Sequence, residues 1–191
     1  AFLRKPQFEA LEMYVFLKEF MDNKHVHEIF SLWKNRQDMF SERSYYAPVA
    51  TKWGQFSFYD EQSEHYEDVF NYMKEYAEDY PNYIYALTMG VGKTILMATC
   101  IFYDFLLALK YPNDSRFCHN ALVFAPDRTV RESLREIETF DRSKVVPQEY
   151  ANILNSNIKF HFLDDDSSTL NTIDGSSLNL IISNTQKIIL K

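Results

Sequence analysis

Residues 83–94 read YIYALTMGVGKT. A short apolar run, Tyr83 to Leu87, gives way to a glycine-bearing turn, Met89 to Gly92, and then to Lys93 and Thr94 at the head of a long apolar stretch. The chain has only 4 Gly in 191 residues, and Gly90 and Gly92 both fall in this turn. A chain so sparing of glycine places it where the backbone needs positive φ or close approach. The pattern predicts a strand over 83–88, a tight turn, and a helix over 93–110. Backbone N–H groups at a helix start are unpaired and sit at the positive end of the helix dipole, so they hold phosphate oxygens. In this reading the backbone of Met89, Gly90, Val91 and Gly92 cradles the phosphates of a nucleotide. Lys93 then reaches the β- and γ-phosphates, and the Thr94 hydroxyl holds Mg²⁺.

Working outward, the composition permits a folded core. The chain is 46% hydrophobic and 16% aromatic, with 16 Phe and 13 Tyr, which is enough apolar material to offset chain entropy. Its length suits one domain or somewhat more. The net charge is −7 and the pI about 5.2. A protein held on nucleic acid by overall charge is basic, so any such role here needs a local groove. Two cysteines, Cys100 and Cys118, make no disulfide framework and suit a reducing cytoplasm. No signal peptide is visible in AFLRKPQF. The apolar stretch 94–111 carries Asp104 near its middle, which reads as a helix of a protein core and not of a membrane.

The N-terminal region predicts helices over 7–21, 25–40 and 61–79, the last acidic outside with Tyr66, Val69, Phe70, Met73 and Tyr76 facing in. Residues 41–60 read as an aromatic loop punctuated by Pro48 and Gly54. From 83 the rhythm becomes strand–helix–strand. Strands are expected at 119–125, 158–163 and 178–183, and helices at 128–140 and 147–155. Such alternation argues an α/β fold with a mostly parallel sheet and flanking helices. Ligands of such sheets bind at the carboxyl ends of the strands. The expected organisation is a helical region, 1–80, followed by a nucleotide-binding domain, 81–191. The five histidines form no ligand set, and Asp164, Asp165 and Asp166 read as a solvated turn.

The general phosphate-loop pattern G-x-x-x-x-G-K-[ST] asks for glycine at position 87, where this chain has Leu87. TMGVGKT resembles instead motif I of superfamily 2 helicases and translocases. Three further stretches are similar to that family, in its order. LRKPQFEAL at 3–11 resembles its adenine-reading element, which implies base contacts from Arg4 and Gln7. ALVFAPDRTVRESLREIE at 121–138 resembles motif Ia, which implies nucleic-acid backbone contacts from Pro126, Arg128 and Thr129. NLIISNTQKI at 179–188 resembles the strand and turn before motif II, which gives Thr185 and Gln186 the same role. The loop is most similar to that of the restriction (Res) subunits of type III systems. The resemblance implies a P-loop NTPase (RecA-like) fold, ATP and Mg²⁺ as cofactors, Lys93 and Thr94 in catalysis, and double-stranded DNA and a modification or specificity subunit as partners.

Two features depart from the family. About 80 residues separate Gln7 from Gly90, so 22–80 is expected to be an insertion. No D-E-x-H or D-E-x-D occurs, so the chain is expected to be the ATP-binding portion of a longer motor, truncated before motif II and inactive in hydrolysis alone. Two other readings stand beside this one. Another P-loop enzyme, kinase-like, fits the Lys93-Thr94 pair but neither Leu87 nor the Gln7 element. A non-catalytic helical docking module fits the long region 1–80. Around Arg128, Arg131 and Arg135, the interleaved Glu132, Glu136 and Glu138 would equally make a solvated, ion-paired helix.

Overall fold

The computed structural model describes residues 2–34, 68–125, 130, 132, 134–163 and 178–184. The chain divides into two units: one made of Ala1–Glu12 and Leu87–Lys191, the other of Met13–Ala86. Helix α1 spans Lys5–Val15, with Pro6 in its first turn, where its missing N–H costs nothing. The helix then widens over Phe16–Phe20, and Met21 N–H donates to the Phe16 carbonyl at 3.0 Å. Asp22 and Asn23, residue types that tolerate positive φ, turn the chain. Helix α2 spans Val26–Lys34. Its start is fixed by a Glu28 carboxylate accepting from His25 N–H at 2.9 Å, half of a capping box.

Residues 68–75 are helical, but the helix expected to reach 79 stops there. Its last hydrogen bonds tighten from Tyr76 N–H on Tyr72 to Ala77 N–H on Lys74, and Tyr76, expected to face inward, is exposed. The strand expected over 83–88 does not form: among the described residues this segment pairs with no strand. Its side chains do alternate between exposed and half-buried, which is the strand signal, yet the cause is different. The Tyr83 phenol donates to the Lys24 carbonyl, and Tyr83 and Tyr85 line an aromatic groove of the 13–86 unit. Tyrosine burial, not ladder pairing, produces the alternation.

Helix α3, Lys93–Lys110, matches its predicted range and buries Leu96, Ala98, Thr99, Phe102, Phe105 and Ala108. Asp104, also buried, accepts from the Cys118 thiol at 3.6 Å. Strands β1 (Asn120–Ala125), β2 (Ile158–Phe162) and β3 (Leu178–Asn184) form a parallel sheet in the order β1-β3-β2. The protein is therefore α/β. Helix α4 is a short Glu136–Thr139, and helix α5, Gln148–Asn157, follows Pro147. Among the described residues no helix is long and apolar enough to cross a membrane.

One sheet face carries Val123, Ala125, Leu178, Leu180 and Ile182, and these pack with Ala98, Phe102, Phe105, Leu134, Ile137 and Leu154. Central β3 is buried over 178–183, as a strand covered on both faces must be. Its Asn179 is fully buried, and its amide donates to Asn120 Oδ1 at 2.8 Å while its Oδ1 meets His161 Nε2 at 3.0 Å. Arg142 is buried too. Its guanidinium lies 5.4 Å from the Phe102 ring centre and 5.5 Å from that of Phe160, and it donates to Asn155 Oδ1 at 2.6 Å. Stacking plus a hydrogen bond is what a guanidinium needs to leave water.

In the turn after α3, Arg116 makes a two-pronged pair with Asp114, at 3.0 Å from Nε and 2.6 Å from Nη2. These bonds hold the Asp114 carboxyl down to about 2 from its ordinary 3.8. A depressed carboxyl stabilises the fold above its unfolded value, and that contribution is lost as pH falls through the folded one. The expected result is a loss of stability between about pH 4 and pH 2 that is smaller in Asp114→Asn, checked by urea unfolding across that window.

Candidate nucleotide-binding site

The turn 89–92 is built by two left-handed glycines, Gly90 at φ 76° and Gly92 at φ 86°. A side chain at either position would cost about 1–2 kcal/mol in backbone strain alone. Gly92 is the N-cap of α3 and gives no side-chain cap, so the first-turn N–H groups are left for another acceptor. The first helical bond runs from Leu96 N–H to the Gly92 carbonyl at 3.2 Å. Lys93 is the first helical residue and is exposed, Thr94 follows half-buried, and Met89 stands 93% exposed at the outer side of the turn.

Two residues from the other end of the sequence hold this turn. Arg4 Nη1 donates to the Gly90 carbonyl at 2.7 Å, and Gln7 Nε2 donates to the Gly92 carbonyl at 2.9 Å. Gln7 Oε1 accepts from Arg4 N–H at 2.8 Å, which ties the pair together at the start of α1. Gln7 is only 3% exposed. Its amide therefore supports the turn, with one Nε2 hydrogen left over. This supporting role was not read from the sequence, which assigned Gln7 and Arg4 to a base. The spacing of LRKPQ from TMGVGKT carried no sign of it.

The two glycines differ in what surrounds them. A Cβ on Gly90 would meet nothing within 4 Å, whereas one on Gly92 would lie 2.8 Å from Gln7 Nε2. Both alanine variants pay the left-handed cost, but only Gly92→Ala also displaces the Gln7 hydrogen bond, worth about 1 kcal/mol. Gly92→Ala is expected to be less stable than Gly90→Ala by roughly that amount, measured by urea unfolding of the two side by side.

The expected nucleic-acid contacts Pro126, Arg128, Thr129, Thr185 and Gln186 lie outside the described residues. The strands that lead to them are described: β1 ends at Ala125 and β3 at Asn184, which are register partners. The chain therefore leaves the sheet at two adjacent points on its carboxyl edge. Arg135, from the same stretch as Arg128, pairs with Glu132 at 3.3 Å and stacks 4.4 Å from the Phe162 ring centre. It is occupied within the protein, as an ion-paired helix would have it. Comparison of the chain with protein-family models, with curated proteins and with solved structures found no match.

Proposed function

We propose that the chain is the ATP-binding portion of an ATP-dependent nucleic-acid motor with a RecA-like P-loop domain, similar to the Res subunits of type III restriction enzymes. The observation that carries this reading is the Arg4–Gly90 and Gln7–Gly92 pair of hydrogen bonds. Two stretches that resemble the family's adenine-reading element and motif I lie about 80 residues apart in sequence and touch in the fold. An unrelated glycine turn has no reason to recruit that partner.

The residues fit the group. Two positive-φ glycines, open space over Gly90 and an uncapped helix start suit phosphate oxygens. The amides from Gly90 to Thr94 would hold the phosphates, Lys93 would pair the β- and γ-oxygens, and Thr94 Oγ1 would be a ligand for Mg²⁺. Bound Mg²⁺ supplies neutralisation of phosphate charge. Arg4, fixed on the turn by its bond to the Gly90 carbonyl, adds positive charge to it. The residues after β1 and β3 are assigned to a DNA backbone, from adjacent exits of the sheet. A modification subunit as partner and a cytoplasmic setting belong to the same reading. With no D-E-x-H among the 191 residues, this portion binds ATP but turns it over negligibly.

The test is calorimetric titration of the chain with Mg²⁺ and a non-hydrolysable ATP analogue, repeated with a duplex oligonucleotide present. Saturable binding of the analogue is expected. Absence of nucleotide binding in both conditions overturns the proposal.

A further inference from the structure

The 13–86 unit carries a feature that the nucleotide site does not use. A groove of about 410 Å³ is lined by Met13, Leu17, Tyr72, Tyr76, Tyr83 and Tyr85 among others. That volume is in the range of ligand pockets. Its wall is unusual in two ways. Tyr72 and Tyr76 are 64% and 62% exposed, with ring centres 4.7 Å apart, so large aromatic faces are turned to solvent where a core would hide them. And the described stretch that supplies them, 68–79, has four acidic residues, Asp68, Glu75, Glu78 and Asp79, against the single basic Lys74. Electrostatics and aromatic faces thus favour the same sign of ligand. Carboxylates attract cations through space, and the faces of tyrosine rings attract them on contact. A phosphate backbone would meet like charge.

We propose that this groove docks a short basic segment of a partner polypeptide, anchored by an apolar or guanidinium-bearing side chain between Tyr72, Tyr76 and Tyr83. Tyrosine and methionine are residue types that interfaces favour: tyrosine gives much contact area at small cost in conformational freedom, and methionine adapts its shape to what it meets. Negative field is present at the wall itself: burial first, and the Glu28 carboxylate second, push the Tyr83 phenol above its ordinary value. Tyr83 is held in place by its hydrogen bond to the Lys24 carbonyl, so this ring is preorganised. The inference rests on none of the residues assigned to ATP.

The probes are three labelled ligands offered to the whole chain: a short peptide of Arg, Lys and Leu, the same peptide with Glu in place of the basic residues, and single-stranded oligothymidylate. Binding of the basic peptide, weakened by salt, is expected. Tyr76→Ala should weaken it roughly tenfold or more, as loss of an interface anchor does, and Glu75→Lys should weaken it as well. Tyr76 is exposed, so the variant is expected to keep its fold, and unchanged circular dichroism would certify that; Tyr72→Ala serves as an independent second variant. Equal affinity for the acidic peptide would overturn the proposal. So would basic-peptide binding that both tyrosine variants leave intact, or oligothymidylate binding that Tyr76→Ala removes.

Discussion

Lys93→Ala is expected to lower affinity for the Mg²⁺–ATP analogue by roughly 10- to 100-fold, the loss of about 1.5–3 kcal/mol from one charge-assisted hydrogen bond. The fold should scarcely notice. Lys93 is exposed at the first position of α3, and surface changes of this kind stay within about 0.5 kcal/mol. Separation of the two effects is what makes the variant informative. Titration calorimetry reads the affinity and urea unfolding reads the stability. Lys93→Arg should retain part of the binding, since it keeps the charge but not the compact ammonium. Unchanged affinity in Lys93→Ala would remove the phosphate role from this residue.

Phe102→Ala should cost about 3–5 kcal/mol of stability, the usual range for emptying a core aromatic site. The ring is fully buried in the middle of α3 and stacks near-parallel on Phe140, centre to centre 6.5 Å. It also supports the Arg142 guanidinium at 5.4 Å. Truncation would leave a cavity and strip one face from a buried cation, so the upper half of the range is expected. Against a total stability of about 5–15 kcal/mol, such a loss brings the variant near unfolding at ordinary temperature. Phe102→Leu, which keeps most of the volume, should cost clearly less. Chemical denaturation of the three proteins measures this, and a cost for Phe102→Ala under about 1 kcal/mol would contradict the packing described.

The parts of the fold that were legible are those where one physical cause dominates. α3 runs from Lys93 to Lys110 with neither glycine nor proline, bracketed by Gly92 and Pro112. β1 and β3 hold the apolar runs 121–125 and 180–182, as strands of a parallel sheet do, while β2, Ile158–Phe162, alternates apolar Ile158, Phe160 and Phe162 with Lys159 and His161. Residues 83–88 misled because a tyrosine seated in a groove alternates with solvent as a pleated residue does. The inward placement of Tyr76 failed for a related reason: helical spacing shows which residues share a face, not what covers it. Burial of Arg142 and Asn179 left no trace in sequence, because partners such as Phe160, Asn155 and His161 are brought in only by the fold. At the candidate site, Gly90, Gly92, Lys93 and Thr94 were legible as a local motif with a mechanism. The hydrogen bonds of Arg4 and Gln7 to its carbonyls were not, because they depend on the closure of an 85-residue loop.

The order β1-β3-β2 also governs how the protein is made. Among the described residues, neither outer strand pairs with the other; each pairs with β3, the last of the three to be synthesised. While the ribosome is still short of residue 184, β1 and β2 have apolar side chains and open backbone edges but no ladder between them. The described sheet is therefore completed only once β3 has been made. Pairing over such long sequence separations is slow, and strand edges left open in the meantime are the kind that chaperones cover and that aggregate when left uncovered.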